Sequence, residues 1–149
     1  MTLGTIIVTL LLSARQVRPL LIGQIENTDM AKGCGCRFWS SDEKNASRSR
    51  IVFFSEGSGR PALMHLDGRD IWLRLITLGA DDKWGTRKGD ASVVKYAACD
   101  MDVEIHRTIA LSDCPAAKDD CEYVNMTGTL TVSSGREKET RKIVGACGC

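Results

Sequence analysis

Residues 123–149, YVNMTGTLTVSSGREKETRKIVGACGC, carry the clearest structural signal in the chain. Apolar residues alternate with polar ones in the first half of this stretch, and they are Val124, Met126, Leu130 and Val132. A period of two is typical of a β-strand with one face toward a core. Ser134-Gly135 then interrupts the run, and the residues from Lys138 to Ala146 return as a final strand. The stretch therefore predicts an antiparallel hairpin that ends in Cys147-Gly148-Cys149.

From Ile51 onward, the remaining segments also resemble short strands separated by turns. Asp67-Gly68 lies between two apolar runs and predicts a tight hairpin, because glycine tolerates the positive φ that such turns require. Residues 92–111 read as the longest β-run, and residues 71–78 read as a strand covered on both sides. Without a convincing long helix, these segments predict an all-β fold, either a small antiparallel barrel or a sandwich.

The residues before Ile51 lack this regularity and predict an irregular N-terminal arm. The apolar run from Leu3 to Leu12 has the length of the hydrophobic part of a secretion signal, although no Lys or Arg precedes it. We interpret residues 1–28 as a secretion signal or N-terminal arm and residues 29–149 as a single β-rich domain. Within that domain, residues 30–50 read as a loop laid against the strands. No run reaches the roughly 20 apolar residues of a membrane-spanning helix, so we expect no stable membrane span.

Composition narrows the class of protein. The chain has 149 residues, which suits one domain. Its 20 Lys and Arg residues against 19 Asp and Glu residues argue against a dedicated nucleic-acid surface, which would carry a basic excess. Seven cysteines are many for this length, and disulfides persist in oxidising compartments. We therefore expect an extracytoplasmic protein, either periplasmic or secreted.

Hairpin register predicts where the cysteines meet. If Ser134 and Gly135 form a two-residue turn, Cys147 lies opposite Glu122 and therefore beside Cys121. Cys99 falls near the opposite end of the sheet and is expected to be unpaired. The other six cysteines then form a sulfur-rich pole that joins the two ends of the polypeptide. The predicted disulfides link Cys114 with Cys121, and Cys34 and Cys36 with Cys147 and Cys149.

The same pole allows a second interpretation, in which the two Cys-Gly-Cys units bind a metal ion. Thiolates of Cys34, Cys36, Cys147 and Cys149 would suit zinc or copper(I), because both accept soft sulfur ligands. A single residue between the cysteines is less typical of zinc sites than two residues. Apart from this alternative, we expect no cofactor.

The sequence holds no convincing catalytic motif. No nucleophile elbow, phosphate-binding loop, dinucleotide fingerprint or zinc-protease motif is present. His65 lies near Asp67 and Asp70, which would suit a base or a ligand but also a strand residue at a hairpin end. The sequence therefore favours a non-enzymatic role.

Two tryptophans mark a candidate binding surface. Trp39 and Trp84 lie in polar stretches, where a large ring either closes the edge of a core or contacts a partner. We expect an exported binding or structural module whose partner is an unknown protein or envelope component, with zinc or copper binding as the alternative function.

Overall fold

The structure is a computed structural model that describes residues 19–41, 50–56, 61–78, 87–112 and 123–148. Its strands are β1 (Ile22–Gly23), β2 (Gly35–Ser40), β3 (Ile51–Ser55), β4 (Ala62–Leu66), β5 (Arg69–Leu78), β6 (Ala91–Ala98), β7 (Met101–Ser112), β8 (Tyr123–Ser134) and β9 (Glu137–Gly148). One turn of 3-10 helix spans Thr28–Ala31. Within these ranges, no helix has the length and apolar character needed to cross a membrane.

Strands β2 to β9 form a closed, eight-stranded antiparallel barrel. Each strand pairs with the next along the chain, and β9 pairs with β2 to complete the circle. The short strand β1 pairs with His65 and Leu66 of β4, which follow the residues of β4 that pair with β3. The all-β prediction is confirmed, and the structure selects the barrel over the sandwich. Closure gives the strands partners on both sides and so removes the exposed edges of an open sheet.

The strand that closes the barrel lies where the sequence predicted a loop. Residues 30–50 include β2, in which Cys36, Phe38 and Ser40 are buried and alternate with less buried residues. β2 pairs with β9 from Gly35 opposite Gly148 to Ser40 opposite Ile143. The loop prediction was wrong because β2 is short and has a weak local pattern. Its conformation depends on partners distant in sequence.

Two hairpin turns test the predicted registers. Asp67 and Gly68 have φ values of 51° and 81° and connect β4 to β5, as predicted. At the β8–β9 hairpin, Ser134 instead pairs with Glu137, so the turn consists of Gly135 and Arg136. Cys147 consequently faces Val124 and not Glu122. A shift of two residues preserves the face on which each side chain lies, because side chains alternate with a period of two.

The predicted long run over residues 92–111 is two strands. β6 and β7 are joined by a turn at Cys99 and Asp100, with Ala98 opposite Met101. Cys99 has a φ of 52°, which is uncommon for a residue other than glycine. The turn contains no glycine or proline and so escaped the sequence analysis. Apolar positions do change from even to odd numbers between Ala98 and Met101, and this change marks the turn.

The barrel interior is packed with side chains. Phe38, Phe53 and Tyr96 form an edge-to-face series with centroid distances of 6.1 Å and 5.4 Å, and all three are buried. Phe53 and Tyr96 belong to strands β3 and β6, so the rings bridge the interior. Such aromatic pairs contribute about 0.5–1.5 kcal/mol beyond the burial of their surface.

A second apolar cluster lies outside the barrel wall. Ile25 and Ala31 of the N-terminal segment pack on Ile51, Phe54 and Leu63 of strands β3 and β4. All residues of β3 and β4 are buried, because one face of these strands lines the interior and the other lies under this segment. Strand β5 differs from its prediction, because Trp72 and Ile76 on its outer face are 46% and 43% exposed.

Polar contacts hold the N-terminal segment on the β4–β5 hairpin. The Leu21 N–H donates to Asp67 Oδ1 at 2.9 Å, and the Asp67 N–H donates to the Leu21 carbonyl at 3.0 Å. The N–H groups of Glu26 and Asn27 donate to the Asp70 carboxylate at 3.1 Å and 2.8 Å. The β4–β5 hairpin therefore also anchors the N-terminal segment, through Asp67 in its turn and Asp70 in β5.

Candidate functional site

The predicted sulfur-rich pole contains a buried disulfide between opposite residues of β2 and β9. Cys36 and Cys147 are joined with a Cα–Cα distance of 3.9 Å, although 111 positions separate them in sequence. Cys34 is also disulfide-bonded. The prediction that the two Cys-Gly-Cys units meet is confirmed for Cys36 and Cys147, and Gly35 faces Gly148. Cys114, Cys121 and Cys149 lie outside the described residues.

The remaining described cysteine, Cys99, is free and exposed, as the sequence predicted. It sits in the turn between β6 and β7, whereas Cys147 lies at the far end of the adjoining sheet, opposite Val124. The two ends of the barrel thus differ in cysteine chemistry. One holds oxidised, buried sulfur and the other a solvent-accessible thiol.

The metal interpretation requires thiolates that Cys36 and Cys147 do not offer in this form. A metal ion binds cysteine as the thiolate, and these two sulfurs are bonded to each other. The described part of the chain contains no group of three or more His, Cys, Asp and Glu residues arranged to hold a metal ion. Zinc or copper binding by the Cys-Gly-Cys units would therefore have to follow reduction of the disulfide.

His65 forms part of the contact between the barrel and the N-terminal segment. Its Nδ1 lies 2.8 Å from Asp70 Oδ1, and its side chain is 9% exposed. Gly23 of β1 lies against the imidazole, and a Cβ at that position would come within 2.3 Å of the ring. The His65 ring is therefore covered by β1, which fits the strand interpretation better than the role of a base that contacts substrate.

Opposing effects set the pKa of Asp70. Burial raises it, but hydrogen bonds from the Asn27 N–H, the His65 ring and the Glu26 N–H together outweigh burial. The net result is a pKa below the ordinary value of 3.8. Asp70 therefore remains a carboxylate over the physiological pH range and holds the arm through charge-assisted hydrogen bonds.

A cleft of about 310 Å³ lies on the outer wall of the barrel, and we call it the outer cleft. Its lining comes from β2, β9, β8 and β7, which are adjacent in the barrel. Trp39 of β2 and Tyr123 of β8 contribute aromatic surface on the two sides of β9. Val144 and Gly145 of β9 lie between them and also line the cleft.

Local irregularities of the strands coincide with the outer cleft. Strand β2 has an irregular register between Phe38 and Trp39, and β7 has one around Ala110. The Phe38 ring packs closely against Gly145 because glycine has no side chain. A Cβ at position 145 would come within 2.3 Å of that ring. Bulges and glycines bend strands and redirect side chains, and they are common beside functional sites. These features explain how an outer barrel wall acquires a concave region.

The described residues that line the outer cleft are uncharged and mix apolar with hydrogen-bonding surface. Asn125 and Thr127 contribute an amide and a hydroxyl, and these lining residues include no carboxylate, ammonium, guanidinium or imidazole group. Arg37 precedes Phe38 on β2, but its guanidinium binds the N-terminal segment. Its Nε donates to the Ala31 carbonyl at 3.0 Å, and its Cζ lies 5.3 Å from the centroid of the Phe54 ring.

The sequence-predicted binding residues have different outcomes. Trp39 lies on a strand and not in a loop, is partly buried, packs on the outer apolar cluster and lines the cleft. Trp84 lies outside the described residues. Tyr123 and Asn125 were not predicted as binding residues, although both stand at the odd, outward positions of the alternating β8 stretch. The alternation identifies the outward face of β8, but it does not indicate which residues of other strands lie beside that face.

No family model, curated protein or solved structure matches this chain.

Proposed function

We propose that this protein is an exported, non-enzymatic binding protein that holds a small neutral molecule in the outer cleft. The observation that supports the proposal is that Trp39, Tyr123 and the other described lining residues, all of them uncharged, surround a cleft of about 310 Å³. Ligand sites commonly enclose about 300–1,000 Å³ and combine apolar walls with a few polar groups. The outer cleft matches the lower end of that range.

The disulfide supports the exported location. Cys36 and Cys147 are buried, and their bond joins the strand that begins the barrel to the strand that ends it. Disulfides that contribute to structure are characteristic of secreted and periplasmic proteins, because cytosolic thiol systems keep cysteines reduced.

The chemistry of the lining supports binding over catalysis. Asn125 and Thr127 supply hydrogen-bonding groups, and the described residues that line the cleft include no imidazole or carboxylate that would act as a base. His65, the buried imidazole, interacts with Asp70 beneath β1. The outer cleft is thus suited to holding a molecule and not to moving its protons.

The test is ligand-observed NMR with a library of small neutral compounds, using the oxidised full-length chain. We expect hits whose affinity falls about tenfold or more in Trp39→Ala, since aromatic contacts and their buried area contribute at least about 1.4 kcal/mol. Trp72→Ala is the matched control, because Trp72 is an exposed tryptophan on β5 and does not line the cleft. Thr127→Val tests the site without removing a packed ring. Hits unaffected by both cleft variants, or no hits at all, would refute the proposal.

A further inference from the structure

We infer that the molecule held in the outer cleft is a carbohydrate, bound through a single uncharged sugar ring. This inference rests on the proposed binding function and adds the class of ligand. It follows from the charge, the polarity, the aromatic surface and the size of the cleft.

The charge of the outer cleft restricts the class of ligand. Among the described residues that line the outer cleft, none has a formally charged side chain, and the Arg37 guanidinium is bound to the carbonyls of Ala31 and Gly33 and lies over Phe54. An ionised ligand would lose hydration in the cleft without gaining a partner of opposite charge, which is unfavourable. The cleft therefore selects uncharged molecules over carboxylates, phosphates and amines.

The polar groups of the outer cleft also restrict the class of ligand. Asn125 offers an amide with two N–H donors and an acceptor oxygen, and Thr127 offers a hydroxyl that both donates and accepts. A purely apolar ligand would cover these groups and leave their hydrogen-bonding capacity unused, at the cost of their desolvation. A ligand with several hydroxyl groups both donates hydrogen bonds to Asn125 and Thr127 and accepts hydrogen bonds from them.

The aromatic surface of the outer cleft favours one kind of polyhydroxylated ligand. Trp39 and Tyr123 present rings beside those polar groups, and Tyr123 is 38% exposed. Aromatic faces carry partial negative charge and attract the weakly positive hydrogens of C–H groups. A sugar ring has such C–H groups on its faces and hydroxyls around its rim, so it complements both kinds of surface at once.

The size of the cleft limits how much of a carbohydrate it holds. A cavity of about 310 Å³ is close to the smallest that ligand sites commonly show, so it accommodates one ring and not a stacked series. Any further units of a glycan would extend into solvent. Terminal residues or monosaccharide derivatives are consequently the expected ligands.

The experiment uses methyl glycosides of glucose, galactose, mannose and N-acetylglucosamine, added separately to the oxidised full-length chain. Binding is followed by protein-observed NMR through the indole N–H signals. We expect at least one glycoside to shift the Trp39 signal and leave the Trp72 signal in place. Asn125→Ala should lower the affinity for that glycoside by about tenfold. Glucuronic acid, which adds a carboxylate, should bind about tenfold more weakly than glucose.

Indole and benzoate serve as probes that separate the two proposals. If indole shifts the Trp39 signal while no neutral glycoside does, the carbohydrate inference is wrong and the binding function stands. If neither glycosides, indole nor benzoate shift it, both are wrong. Preferential binding of benzoate or glucuronic acid would overturn the argument from charge. Thr127→Val provides a second variant with an exposed side chain, so the test does not depend on the folding of Asn125→Ala.

Discussion

Cys36 and Cys147 lie directly opposite each other on β2 and β9 and form a buried disulfide that closes the barrel. Hydrogen bonding between these strands is the long-range pairing on which the circle depends, and the covalent bond reinforces it. Such a bond stabilises mainly by restricting the unfolded chain, with an effect that grows with the length of the loop. The loop here spans 111 residues, which makes the bond effective.

Removing this disulfide tests its contribution. We expect Cys36→Ala with Cys147→Ala to lower the free energy of unfolding by about 2 kcal/mol, the lower part of the usual range, because Cys34 is disulfide-bonded as well. Urea unfolding followed by circular dichroism measures the change. Cys99→Ser is the control, and its unfolding midpoint should stay close to that of the native chain because Cys99 is exposed and free. An unchanged midpoint in the double variant would show that the Cys36–Cys147 bond contributes nothing measurable to stability.

Thiol accessibility distinguishes the disulfide from the metal interpretation. In native protein without reductant, we expect alkylating reagents to modify Cys99 and to leave Cys36 and Cys147 unmodified. Digestion should release a cross-linked peptide pair that contains Cys36 and Cys147. Labelling of these two residues, together with zinc or copper in protein purified without chelators, would instead support the thiolate alternative.

Asp70→Asn tests the anchoring of the N-terminal segment. The substitution removes the negative charge that accepts the N–H groups of Glu26 and Asn27 and the hydrogen bond of His65. We expect a loss of about 1–3 kcal/mol of stability, typical of hydrogen bonds to a charged group. Amide hydrogen exchange should quicken at Glu26 and Asn27. Asp102→Asn, an exposed change on β7, should leave both measurements unaltered.

The pH dependence of stability has a defined sign at Asp70. Its pKa is lower in the folded state than the ordinary 3.8, so the unfolded chain takes up the proton first as pH falls. The stabilisation is therefore complete above about pH 4 and is lost as pH falls through the folded pKa. Thermal melts should show the native chain and Asp70→Asn converging in acid and separated at neutral pH. A constant separation at every pH would contradict the assignment.

Gly145→Ala tests the packing beneath the outer cleft. A Cβ at this position would lie 2.3 Å from the Phe38 ring and 2.6 Å from the Arg37 carbonyl oxygen. Because a backbone atom cannot move aside easily, we expect about 1–3 kcal/mol of destabilisation, as for other overpacked sites. Denaturant unfolding measures it. Lys142→Ala, an exposed substitution on the same strand, should have little effect, and equal stability of the two variants would contradict the close packing.

Much of the β-structure follows from short-range patterns. Alternation in residues 123–134 specified strand β8 and its inward face, and Asp67-Gly68 specified a hairpin through the conformational freedom of glycine. The cysteine prediction survived a register error of two residues at Ser134, because an even shift keeps Cys147 on the same face. These features depend on residues close together in sequence, and for that reason the sequence alone determined them.

The barrel and the outer cleft were decided only by tertiary structure. Strand β2 has little local signal and becomes a strand through pairing with β3 and β9. Trp39 and Tyr123 reach one cleft because closure places β9, with the small residues Val144 and Gly145, between them. Pairing between distant strands gains its free energy from contacts that no local window of sequence contains. The chain's own pattern therefore determined that it forms strands, while the association of those strands determined which residues share a surface.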